Sequence, residues 1–256
     1  MNSQATDKVD KTLLPQGEAL RRLVRLLLCA LTGYAIALIL SRFFLPSLHG
    51  EAIHALLFST IFTLLVFGSA MVYGYWIAPN EPIQFLGLSA PSFPKKICGI
   101  PIGYVLLIGL GFLCLLLWAT AALNTYLIEQ MGGALEDRLR NMSEEARKEQ
   151  QLIFSDQSLA AVLLRFFALV LLAALCEELF MRGALQPILI GMVGNKHIGI
   201  LLTALLFAIL HMFPEHLLPI FVWAVAFGYL REYSGSIWPG IILHFCNNLL
   251  TVMMYQ

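Results

Sequence analysis

The sequence predicts an all-α, polytopic transmembrane helical bundle. It has about seven spans, with a short hairpin between helices five and six and an interfacial amphipathic helix. Composition comes first. Of 256 residues, 59% are hydrophobic and 12% charged, and the mean hydropathy is +0.79. An ordinary soluble domain carries about 25% charged residues, so polar surface is too scarce here to cover a water-soluble globule. Spacing comes second: apolar runs long enough for a bilayer core recur along the chain, separated by Pro, Gly or charged punctuation. Charge balance comes third. Sixteen Lys+Arg offset sixteen Asp+Glu, so no basic field exists to attract nucleic acid.

Residues 1–20 are polar, mixed in charge and carry Pro15 and Gly17, which reads as a mobile tail. Residues 21–256 read as one transmembrane domain. Arg21, Arg22 and Arg25 precede an apolar run from Leu26 to Leu40. Ser41-Arg42-Phe43-Phe44 follows in place of a small-residue cleavage site, so this is a retained first span. The second span runs from Ala52 to Ile77, with Tyr73, Tyr75 and Trp76 as interfacial anchors. After a Pro-punctuated loop ending in Lys95-Lys96, the third covers Ile97–Leu123. Residues 124–158 are polar. Leu135, Leu139, Met142 and Ala146 recur at helical spacing, which suggests an amphipathic helix on the membrane; a solvated connector and a lid over a site are the alternatives.

The fourth helix is read as Leu159–Ile190, the fifth as Ile198–His211, the sixth as Leu217–Leu230 and the seventh as Ile237–Met254. At roughly 14 residues, or about 21 Å, helices five and six are too short to span fully. A short hairpin inside a bundle leaves a water-accessible hollow at its tip. The Lys/Arg bias places the N-terminus in the cytoplasm and the hairpin tip on the opposite side. The five cysteines show no CxxC spacing and read as small hydrophobes. His49, His54 and His197 sit near span ends and read as interfacial.

Ionisable residues inside apolar helices carry the chemistry. Each costs about 2.5–3.5 kcal/mol at a helix centre, so Glu177 and Glu178 together need a compensating role. Arg182 lies four residues after Glu178, in the favourable order for an ion pair. Glu177 points about 100° away and has no local partner. Its face carries Ala173, Ala174, Phe180, Met181 and Ala184, small enough in part for another backbone to approach. A carboxyl in an apolar pocket is a usable acid or base near neutral pH. His211 closes helix five, with Phe207 one turn below. His244 and Asn248 share one face of helix seven, and together they can donate to one anion, which is an oxyanion hole in outline. Asn247 is also within reach, and spacing alone does not choose between the two asparagines.

Three motifs thus follow one another on apolar helices: Cys-Glu177-Glu178-Leu-Phe-Met-Arg182-Gly-Ala-Leu, Phe207-Ala-Ile-Leu-His211 and His244-Phe-Cys-Asn-Asn248. With Trp238-Pro239-Gly240 before the last, they resemble the CAAX-protease and bacteriocin-processing (CPBP, or Abi) family of intramembrane endopeptidases, over roughly residues 160–252. The resemblance implies that Glu177 is the general base and His211 its partner on the hydrolytic water. It implies that His244 and Asn248 bind the oxyanion, and that Glu178, Arg182 and Phe207 support the site. Asn248 matches the family's spacing. No cofactor is implied; if zinc is bound, Glu177, His211 and His244 are its ligands. The related CAAX proteases open their site to the cytoplasm, in tension with the topology above.

The implied partners are the bilayer and a membrane-associated protein or peptide: a lipidated tail, a leader peptide or a C-terminal anchoring signal. A bacterial-type inner (plasma) membrane is the expected location. The competing readings are a proton-coupled transporter, since intramembrane Glu and His also build proton relays, and a catalytically silent scaffold or immunity protein of the same family. A transporter would show inverted repeats and paired broken helices, which the sequence lacks.

Overall fold

The computed structural model describes residues 14–44, 52–97 and 100–255. Helix α1 (Gln16–Phe44) starts inside the segment read as tail, where Glu18 pairs with Arg21 and Arg22 one turn on. Residues 1–13 and His49 lie outside the described residues. The second span is a single rod in three parts: α2 (Ala52–Phe62), a π-helical turn (Thr63–Phe67) and α3 (Ser69–Ile77). A short α4 (Pro82–Phe85) and a two-residue antiparallel pair, β1 (Lys96–Ile97) with β2 (Ile100–Pro101), occupy the loop.

Helix α5 (Ile102–Met131) is shifted from the expected third span and runs eight residues past Leu123, because 124–131 continue it and do not open the connector. Helix α6 (Gly133–Ser155) is amphipathic, with Ser143 and Phe154 buried. The fourth rod alternates α7 (Leu159–Arg165), a π segment (Phe166–Leu172), α8 (Ala173–Glu178), a second π segment (Leu179–Leu185) and α9 (Gln186–Val193). Helix α10 (Lys196–Leu210) starts at Asn195, whose side chain accepts from the His197 and Ile198 amides. It stops at a tip where Met212 adopts a left-handed φ of 52° and Pro214–His216 form one 3₁₀ turn. Helix α11 (Leu217–Ser234) exceeds its expected end at Leu230 by four residues and stops at Gly235, whose φ of 67° closes the helix. Helix α12 (Trp238–Met254) completes the chain.

Among the described residues, four rods are long and apolar enough to cross a membrane: Gln16–Phe43, Ala52–Ile77, Ile102–Met131 and Leu159–Val193. The chain is an integral membrane protein, all-α apart from the β1–β2 pair. Helices α10, α11 and α12, with 15, 18 and 17 residues, form the shorter half of the bundle. The core lies where α1, α3 and the fourth rod meet α10–α12. It is built from residues such as Leu26, Tyr73, Met181, Ile188 and Ala204, with an edge-to-face pair between Phe67 and Phe180. Helix α5 packs along α11, yet no residue of its apolar 18-residue window is buried, which leaves much of its surface to lipid.

Candidate active site

Helix α8 places the two glutamates. The π segments on either side of it rotate the backbone locally, a distortion often seen at functional sites. Glu178 is fully buried and Arg182 is 1% exposed; the guanidinium NH1 donates to Glu178 Oε1 at 2.6 Å. The expected pair therefore forms in the interior. Arg182 also donates through NH2 to the Ala224 carbonyl at 3.0 Å. Its guanidinium lies 4.7 Å from the Phe207 ring centre and 5.3 Å from that of Phe227. Desolvated charges are tolerable only when paired and bonded in this way. Gly240 explains the Trp-Pro-Gly turn: a Cβ there would lie 2.8 Å from Glu178 Oε2.

Glu178 also reaches helix α12. His244 Nδ1 lies 3.3 Å from its Oε1, and the ring stacks on Phe227 at 5.6 Å. The opposite nitrogen, Nε2, faces Glu177 Oε2 at 3.8 Å, which is too long for a direct hydrogen bond. Glu177 is half-buried, against the complete burial of its neighbour. His211 sits at the end of α10, exposed to the hollow, with Nδ1 2.8 Å from the Phe207 carbonyl. A carbonyl only accepts, so Nδ1 carries the proton and Nε2 of the neutral ring is free to accept. Asn248 uses one amide N–H on the Leu169 carbonyl at 3.0 Å and keeps the other.

Glu177, His211, His244 and Asn248 all line one cavity of about 380 Å³. A second cavity, of about 410 Å³, shares His211, His244 and Asn248 and is walled by Trp223, Phe227, Ile220 and Tyr255. Asn247 lines only this second, more aromatic cavity, so the structure brings Asn248 and not Asn247 beside Glu177. The outer wall of the first cavity is helix α6, through Ala146, Glu149, Gln150, Ile153 and Phe154. The amphipathic helix expected in the polar stretch forms as α6, and one of its faces walls the hollow. Glu215, in the turn after α10, pairs with Arg147 of this helix. His197, expected at an interface, bonds Tyr229 at 2.8 Å, and Cys176 is buried.

Among the described residues, no three His, Cys, Asp or Glu side chains are grouped so as to hold a metal ion. Nδ1 of each histidine is already committed, to Phe207 and to Glu178. Sequence reasoning missed Phe227 and Ala224, which cradle Arg182 and His244 from α11. It also missed Asn124, Ser143 and Arg147, which hold the hairpin tip. Asn124 falls one residue past the expected end of the third span, within the polar stretch; the others have no local pattern.

No curated protein and no solved structure matches the chain significantly. Residues 159–250, from the start of α7 almost to the end of α12, match the family described as Rce1-like, type II CAAX prenyl endopeptidase. That segment contains all three motifs and every residue of the Glu177–Glu178–Arg182–His211–His244–Asn248 cluster. Over residues 159–250, the chain is similar to the Rce1-like, type II CAAX prenyl endopeptidase family, in keeping with the CAAX-protease (CPBP) resemblance of its three motifs.

Proposed function

We propose that this integral membrane protein hydrolyses a peptide bond of a membrane-associated protein or peptide with a water activated by Glu177. The observation that carries the reading is the convergence of Glu177, His211, His244 and Asn248 on one cavity. A water oxygen about 2.8 Å from both Glu177 Oε2 and His244 Nε2 fits their 3.8 Å separation. His211 Nε2 accepts a hydrogen bond from this water and orients it. Glu177 takes one proton as the water oxygen bonds to the scissile carbonyl carbon. The carbonyl π electrons move onto oxygen, and the remaining Asn248 N–H and His244 Nε2–H donate to it. Collapse of the intermediate breaks the C–N bond, and the Glu177 carboxylic acid returns its proton to the leaving nitrogen.

The oxyanion role sets a condition on His244. Nδ1 donates to Glu178, so Nε2 donates only when the ring holds both protons. The Glu178 carboxylate, tied to Arg182, then faces that charge across the ring. No step needs a metal. The family description points to a prenylated tail ending in Cys-aliphatic-aliphatic-X.

The test is cleavage of an internally quenched farnesylated CAAX peptide by the full chain in nanodiscs, with and without a chelator. Glu177→Gln is expected to abolish cleavage with an unchanged melting profile, and chelation to leave the rate unchanged. Cleavage by Glu177→Gln at the wild-type rate sinks the assignment of the base. Loss of activity on chelation sinks the metal-free step. A silent scaffold would leave even the wild-type chain without cleavage of any membrane peptide.

A further inference from the structure

We infer that Asn124 is a positioning residue for the reaction, acting through His211 by pinning the hairpin tip that follows it. The inference rests on the role given to His211 above. Helix α5 faces lipid over most of its length, and of its 30 residues only Asn124 and Ile128 are buried. An amide at that depth is costly unless both of its ends are bonded. Asn124 Nδ2 donates to the Pro214 carbonyl at 2.9 Å, and its Oδ1 accepts from the Leu218 amide at 3.1 Å. The Leu218 amide is one of the unpartnered N–H groups at the start of α11, so Asn124 caps that helix from a different one.

The two bonds bracket residues 214–218, beginning three residues after His211. The link between them passes through Met212, a non-glycine residue with φ 52°. Such a backbone persists only where its surroundings hold it. The His211 ring bonds the carbonyl of its own helix, so it moves with the end of α10. Helix α6 adds outer fastenings. Ser143 Oγ accepts from the Glu215 amide at 3.3 Å, and Arg147 pairs with the Glu215 carboxylate. Arg147 is half exposed, whereas Asn124 is 4% exposed, so the buried amide is the stronger restraint. All three side chains lie outside the matched segment 159–250. The part of the chain before residue 159 thus sets the geometry of a site whose reacting groups come from the part after it.

The experiment uses the full chain in nanodiscs, wild type, Asn124→Ala and Asn124→Asp. Hydrogen exchange is read at residues 208–218, with kcat and KM on the farnesylated CAAX peptide. In Asn124→Ala, exchange at the tip is expected to rise about 10-fold or more while α8 and α12 are unchanged. kcat is expected to fall about 100-fold, as for a displacement of about 1 Å, with KM nearly constant. Asn124→Asp keeps the acceptor for the Leu218 amide and is expected to recover part of kcat. Unchanged exchange at the tip overturns the inference, whatever the substrate proves to be. A loosened tip with kcat within about threefold of wild type overturns the link to His211. So does equal loss of kcat and thermal stability in both variants, which marks a purely structural amide. Cleavage by Glu177→Gln would refute the catalytic reading separately, leaving the exchange result intact.

Discussion

Replacing Arg182 with methionine removes one partner of a buried ion pair and leaves the other in place. Glu178 would keep a carboxylate at 0% exposure with only His244 nearby, at 3.3 Å, and with Oε2 still unbonded. Losing one member of such a pair costs about 3–5 kcal/mol, far above the 0–1 kcal/mol of a surface pair. Arg182 also supplies the bond to the Ala224 carbonyl and the contact with the Phe207 and Phe227 rings, so the upper end of that range is expected. For a chain of this size, that corresponds to about 6–20 °C in melting temperature. Removing both charges, in Glu178→Gln with Arg182→Met, takes away the unpaired charge. The double variant is expected to recover at least half of the lost stability. The assay is thermal unfolding of purified protein in one fixed detergent, run as a double-mutant cycle. A single-variant loss below about 1 kcal/mol, or a double variant worse than the sum of the singles, refutes the buried-pair argument.

Gly240→Ala is expected to cost about 1–3 kcal/mol, because the added methyl meets Glu178 Oε2 at 2.8 Å with Phe227 Cβ behind it; an unchanged melting temperature would contradict this close approach. Asn248→Ala is expected to lower kcat by about 100- to 1000-fold, whereas Asn247→Ala changes it little; reversed effects in steady-state kinetics would exchange their roles. Asp156 sits between α6 and α7, and hydrogen bonds from Ser158, amide first, hold its carboxyl below the ordinary value of 3.8. A depressed acid stabilises the folded state above its ordinary value and loses that contribution as pH falls through the folded value. Exchange at residues 154–160 is therefore expected to rise below about pH 4 in wild type, and to lose that pH dependence in Asp156→Asn. An identical acid response in both would place the titrating group elsewhere.

What the sequence determined by itself follows from local rules. Apolar run length and punctuation place the four long helices and the short α10, because a bilayer core demands about 20 apolar residues from any crossing segment. Four-residue spacing predicts the Glu178–Arg182 pair, since i and i+4 share a helix face whatever lies around them. The same rule puts His244 and Asn248 side by side. Helix ends were less legible. α5 continues to Met131 and α11 to Ser234, because tertiary contacts and caps, not hydropathy, stop a helix.

Only the tertiary structure decided which side chains from separate helices meet. Local spacing contains no information on the approach of Phe227 and the Ala224 carbonyl to Arg182, or of Asn124 to a tip ninety residues away. It could not choose between Asn247 and Asn248, which differ by one helical step: Asn248 lines both hollows, Asn247 only the one that Glu177 does not line. Nor could it tell an interfacial helix from a wall. The polar pattern of α6 suits water, membrane surface or cavity alike, and its place over Glu177 and His211 comes from packing on α2 and on the hairpin tip. Periodicity fixes the direction in which a side chain leaves its own helix. What stands opposite is set by how the helices pack, a property of the whole chain.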